Sequence, residues 1–162
     1  MKTEHIENRT IPAPRRTLVA EGHDHPAGHL IDWHTHRRNQ LLYATKGAMT
    51  VHAEAGIWVV PPHRAVWVPG AMRHQVRAGD APLSMRTVKI EPQVVAGLPD
   101  QCCVVAVSPL LRELIVAAVG FADAYDERGA DGRLARVLLD QIRNLPTAPL
   151  HLPCCTTGAS SV

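Results

Sequence analysis

The chain has no apolar run approaching the roughly 18 residues that a membrane helix needs. Its opening, MKTEHIENRTIPAPRRTLVA, lacks the apolar core of a signal peptide. Charge of one sign is also missing. Seventeen basic and fifteen acidic side chains leave a formal net charge of +2, a balance that predicts neither a nucleic-acid partner nor a membrane surface. Cysteine is scarce and wrongly spaced for a structural zinc site: the four form two adjacent pairs, Cys102/Cys103 and Cys154/Cys155, with no CxxC. Sequence neighbours are poorly placed to bridge each other. Free thiols suit a reducing compartment, so the expected location is cytoplasmic, with no membrane partner. What remains is 162 residues, 46% apolar and 20% charged, enough for one globular domain with a core and too little for two typical ones.

From about Arg16 to Ile90 apolar residues come in short runs broken by Gly, Pro and Asp. LLYAT, AMTVHA, IWVV, AVWV and MRTVKI are rich in Val, Ile, Tyr, Trp and Thr, which suit a pleated, half-buried surface. The breaks at Lys46-Gly47, Ala55-Gly56, Pro61-Pro62, Pro69-Gly70 and Gly79-Asp80 read as turns. Short, evenly spaced strands without intervening helices predict a sandwich or barrel and argue against a parallel βαβ sheet. The expected division is a β-domain over 1–107, a helical hairpin over 108–146 and a tail over 147–162.

Ser108-Pro109 has the form of a helix start, a capping hydroxyl followed by proline at the first helical position. Leu111, Leu114, Ile115 and Ala118 follow at helical spacing. A second helix is expected from near Asp131, with Leu134, Val137, Leu138 and Ile142 on its buried face and Asn144 and Pro146 ending it. A DNA-reading helix-turn-helix needs a turn of about 3–4 residues, and the AYDERGADG connection is longer. Packing or dimerisation is the expectation for this pair.

The chemistry concentrates in GHLIDWHTHRRNQLLYATKG, Gly28 to Gly47. Strand side chains alternate faces, so His34 and His36 share one, about 7 Å apart along the strand. Gln40 keeps the same parity after the RRN connection. His74 follows a Pro-Gly turn in WVPGAMRHQV, at the head of another apolar strand. A metal site needs such ligands from separate strands to converge with imidazole nitrogens free. An isolated HxH is weak evidence; the second element strengthens it. His5, His23, His25, His29, His52, His63 and His151 have no matching partner and read as solvated or turn residues.

The two elements together resemble the paired motifs of the cupin family. Gly28, His34, His36, Gln40 and Gly47 occupy the places of the first motif, G-x5-HxH-x3/4-E-x6-G, with glutamine where the family usually has glutamate. Pro69 and His74 fit the second, G-x5-PxGxxH-x3-N, while His63, Ala71 and Ala78 stand in for two glycines and the asparagine. The resemblance implies a small, mainly β cupin-type barrel or jelly roll followed by a pair of α-helices. It also implies a divalent-metal site at His34, His36, Gln40 and His74. Gln40 brings an amide oxygen without the charge of a carboxylate, and the set suits Zn²⁺, Ni²⁺, Fe²⁺ or Mn²⁺.

A finer resemblance lies in QLLYATKGAMTV, WVVPPHRAVWVPGAMRHQV, MRTVKI, VVAVSPLLRELI and DGRLARVLLDQIRNLPTAPLHLP. These look like the N-terminal effector-binding domain of AraC-family transcriptional regulators, over about residues 15 to 153. That implies a small-molecule effector inside the barrel and a homodimer formed through the C-terminal helices. The chain ends where the family's DNA-binding domain would begin, and no DNA binding is expected of this polypeptide itself. Leu42 and Met49 are the expected apolar pocket residues, and Arg86 the expected anchor for an anionic ligand. The alternative is a metal-dependent enzyme, an oxygenase or an isomerase, with Asp32 the one nearby acid/base group sharing the parity of His34.

Overall fold

The computed structural model describes residues 16–94 and 96–145. Nine strands come first: β1 (Leu18–His25), β2 (Leu30–His34), β3 (Asn39–Lys46), β4 (Met49–Ala53), β5 (Gly56–Val60), β6 (Arg64–Val68), β7 (His74–Ala78), β8 (Leu83–Ile90) and β9 (Cys103–Ala106). Two helices follow, α1 (Pro109–Val119) and α2 (Ala130–Arg143). The strands form two antiparallel sheets, one ordered β1-β8-β3-β6-β9 and the other β2-β7-β4-β5. This is the mainly β architecture with a C-terminal helix pair that the sequence predicts.

The turns fall at the expected breaks, and backbone chemistry explains why. Gly47, between β3 and β4, has φ 79°, and a Cβ there would come within 2.5 Å of the Pro82 carbonyl oxygen. Only glycine satisfies both conditions.

Strand alternation divides the apolar residues into two cores. Between the sheets lie Leu42, Met49, Val51, Trp58, Val66, Val76, Leu83 and Met85. On the outer face of the five-stranded sheet, Leu18, Leu41, Tyr43, Trp67, Val88 and Ile90 pack against Leu111, Ile115, Leu138 and Ile142 of the helices. That sheet therefore has a core on each side and the other sheet has one.

Ser108 caps α1 as its sequence predicts: the Leu111 backbone N–H donates to Ser108 Oγ at 3.1 Å. In α2 the buried face differs from the expected one. Leu138 and Ile142 are buried with Gly132, Ala135 and Leu139, whereas Leu134 and Val137 are 40% and 42% exposed. Ala135 and Leu139 complete the inward stripe, which rotates Leu134 and Val137 out to solvent. Pro146, the 147–162 tail, His5, His151, Cys154 and Cys155 lie outside the described residues. No helix among the described residues is long and apolar enough to cross a membrane.

Candidate metal centre

Three imidazoles converge where β2 meets β7. His34 sits opposite His74 in the β2–β7 ladder, their ring centroids 4.3 Å apart. His36, just beyond β2, brings its ring centroid to 4.8 Å from His34 and 5.9 Å from His74. One nitrogen from each lies within 4.8 Å of the others, a spacing that a metal ion could close.

The convergence depends on two irregularities. The β2–β7 register shifts between Ile31 and His34. This bulge lets both residues, three apart, turn toward the β7 side of the interior. The same bulge breaks the simple parity expected for Asp32, which is exposed and accepts the Trp33 backbone N–H at Oδ1. The carboxylate expected beside His34 is thus turned aside.

The second irregularity is a clamp. Ala71 N–H donates to the His36 carbonyl at 2.6 Å, and Gly70 N–H donates to Asn39 Oδ1 at 2.8 Å. Arg37 and Arg38 both reach Glu91, at 2.7 Å. The RRN connection is thereby fastened to the turn that carries His74.

Backbone carbonyls set the tautomers. His34 Nδ1 lies 2.6 Å from the Asp32 carbonyl and His74 Nδ1 lies 2.9 Å from the Met72 carbonyl. A carbonyl can only accept, so each Nδ1 carries the proton and each Nε2 presents a lone pair. Burial, reinforced by His34, Lys89 and His74, pushes His36 down to about 4. Burial also lowers His74 despite its bond to Met72. Both rings are therefore neutral at pH 7, the form that ligates metal.

Gln40 occupies the interior face of β3, in register with Val68 and Lys89. It is 2% exposed, and its Oε1 is buried with no hydrogen-bond partner among the described residues. An orphaned buried acceptor costs about 1–3 kcal/mol, and a cation is one group that would satisfy it. The three imidazoles could therefore hold a metal ion, and an unsatisfied amide oxygen lies on the interior face of the neighbouring sheet.

Leu42 and Met49 both lie in the core between the sheets, 2% and 0% exposed. Arg86 does not join them. Its neighbours in register are Gly22 and Tyr43, on the helix-facing side, and it reaches Asp24 at 3.4 Å. The interior cation of β8 is instead Lys89, which shares its parity with Leu83 and Met85. Sequence reasoning missed Lys89 and Glu21, whose ammonium and carboxylate meet at 2.8 and 2.9 Å. Extending the alternation along MRTVKI would have found the lysine.

Two other histidine expectations meet the structure differently. His63 is a turn residue with φ 66°. His25 and His29 stack at 4.5 Å, so they are mutual neighbours as well as partly solvated groups.

Residues 20–142 match the model of the AraC-like ligand binding domain. The chain belongs to that family. Its AraC-like domain is 38% identical over 120 residues to the HTH-type transcriptional regulator NimR of Escherichia coli strain K12, covering 74% of this chain and 43% of NimR. The chain thus spans less than half the length of that relative. In fold it is similar to ToxT of Vibrio cholerae, with a TM-score of 0.56 and 6% identity, covering 78% of this chain and 54% of ToxT. An RmlC-like cupin with a double-stranded β-helix fold from Methanocaldococcus jannaschii is 20% identical, with a TM-score of 0.43, over 46% of this chain and 70% of that one.

Proposed function

We propose that this chain is the cytoplasmic effector-sensing module of an AraC-type regulator. In this reading a cupin barrel binds a small molecule beside a divalent transition metal held by His34, His36, His74 and Gln40. The observation that carries the metal is the meeting of three imidazoles, two with Nε2 left free, on the same interior as the unpartnered Gln40 oxygen. Zinc and nickel suit so nitrogen-rich a set. When bound, the ion supplies a Lewis-acidic position for an effector oxygen or nitrogen. Leu42 and Met49 form the apolar floor beneath it.

Membership of a ligand-binding family supports sensing over turnover. Pairing with a second copy is assigned to the helices, because Leu134 and Val137 present an apolar strip one turn long on α2. DNA reading is not assigned to α1 and α2, whose connection spans residues 120–129 and exceeds a helix-turn-helix turn.

The test is metal analysis of untagged protein, combined with a thermal-shift screen of small molecules. Stoichiometric metal, lost in His74→Ala while unfolding stays cooperative, supports the site. A stabilising ligand recovered chemically unchanged supports the sensor. Trace metal in the wild type would sink the metal assignment, and conversion of the ligand would favour an enzyme.

A further inference from the structure

We propose that Lys89 is an anion anchor beside the three histidines, and that the effector is a small carboxylate. This rests on the sensing reading above and names the chemical class of its ligand.

The first argument is placement. Lys89 lies in register with Gln40 on one side and Val19 on the other. Its alternation with Leu83 and Met85, both in the core between the sheets, turns it inward. Its side chain is 23% exposed, so it is partly withdrawn from water yet reachable.

The second argument is valence. An ammonium has three N–H donors and no acceptor. Two of them meet Glu21, at 2.9 Å to Oε1 and 2.8 Å to Oε2. Among the described residues the third has no partner, and it can donate to a ligand.

The third argument is charge. Glu21 and Lys89 cancel each other. Burial alone would raise Glu21, but the hydrogen bonds and attraction of Lys89 bring it below the ordinary carboxylate range, so it stays ionised. Gln40 is an amide, and an imidazole ligates a metal in its neutral form. A divalent ion in this donor set would keep its full charge, and a partly buried uncompensated charge is unfavourable. A carboxylate answers both needs. Its oxygens can accept from the free Lys89 N–H and supply the missing negative charge.

The smallest probe removes shape from the test: formate, with formamide as its uncharged counterpart. Amide chemical shifts are followed by NMR during titration of the chain, both chelator-treated and zinc-loaded. Formate is expected to move the Lys89, Gln40 and His36 signals where formamide does not. Lys89→Met should weaken formate binding on the order of tenfold, and Lys89→Arg should largely restore it. Glu21→Gln should tighten binding, because it removes the internal competitor for the ammonium. Zinc content should be unchanged in all three variants, since the histidines are intact.

Equal responses to formate and formamide, an unaltered dissociation constant in Lys89→Met, or weaker binding in Glu21→Gln would each overturn the proposal. If Lys89→Met does not fold, Lys89→Arg and Glu21→Gln decide it by the same signs. Failure of the wild type to take up zinc would count against the metal reading alone, because the chelator-treated titration still reads the anchor.

Discussion

His34 and His74 face each other across the β2–β7 ladder, 4.3 Å between ring centroids, and each spends its Nδ1 proton on a carbonyl two residues upstream. With His36 they bring three imidazoles together, of which His36 and His74 resist protonation, and this gives the metal-free protein a defined response to acid. His36 is held at about 4 against an ordinary 6.5, chiefly by burial, and His74 is lowered in the same way. Between those values the unfolded chain binds more protons than the folded one. The histidine contribution to stability is therefore complete above pH 6.5 and is lost as pH falls toward 4. Thermal melts of chelator-treated protein across that window should show a falling Tm, steeper than in His36→Gln. Zinc should dissociate in the same direction, because protons compete for the same nitrogens.

His63 and Ala71 are the two non-glycine residues with positive φ among the described residues, 66° and 65°. They stand at the positions where the cupin motif has glycine. A left-handed conformation costs an L-residue roughly 1–2 kcal/mol, which glycine escapes. His63→Gly and Ala71→Gly should each stabilise the chain by about 1 kcal/mol in urea unfolding, after allowance for the greater unfolded-state freedom of glycine. Destabilisation by either would contradict the backbone geometry.

Gly70 is the inverse case. A Cβ there would press into the Arg37 carbonyl, in the loop fastened by Asn39 and Glu91. Gly70→Ala should cost about 1–3 kcal/mol through forced backbone strain. It should also weaken zinc binding on the order of tenfold, because the loop places His36. Calorimetric zinc titration of the folded variant measures the second effect separately from the first.

The rotated face of α2 separates a dimer test from a folding test. Leu134→Glu with Val137→Glu changes exposed positions and should shift sedimentation from dimer to monomer while Tm moves little. Leu138→Arg places a charge at a position that is 0% exposed and should unfold the helix pair. A dimer that survives the double change would place the interface elsewhere.

Strands β3 to β8, their turns and the cap of α1 were legible because each depends on local chemistry: β-branched runs, glycine and proline at breaks, a serine before a proline. The histidine set was legible as a motif shared between two distant segments. Its geometry was not, because the bulge between Ile31 and His34 and the clamp from Asn39 to Gly70 are tertiary facts. Asp32 was misjudged for that reason, as a uniform alternation was carried through a strand that shifts register. Arg86 was misjudged for a simpler one. Charge alone points to Arg86, whereas alternation along MRTVKI turns it toward the helices and turns Lys89 inward. Leu134 and Val137 read as core in the sequence because two stripes one residue apart on α2 are both apolar.

Glu21 and Gly22 are consecutive, yet they belong to different compartments. Glu21 grips Lys89 on the interior side of β1, while a methyl group at Gly22 would come within 3.1 Å of Val119 Cγ1 at the end of α1. On the helix side of Gly22 the Arg86 side chain and Val119 both close in, at 3.2 and 3.1 Å from where a methyl group would sit. A rotation of β1 that loosens the carboxylate inside must also change the gap under α1 outside. The short route from barrel to helix pair is therefore one peptide unit of a shared strand.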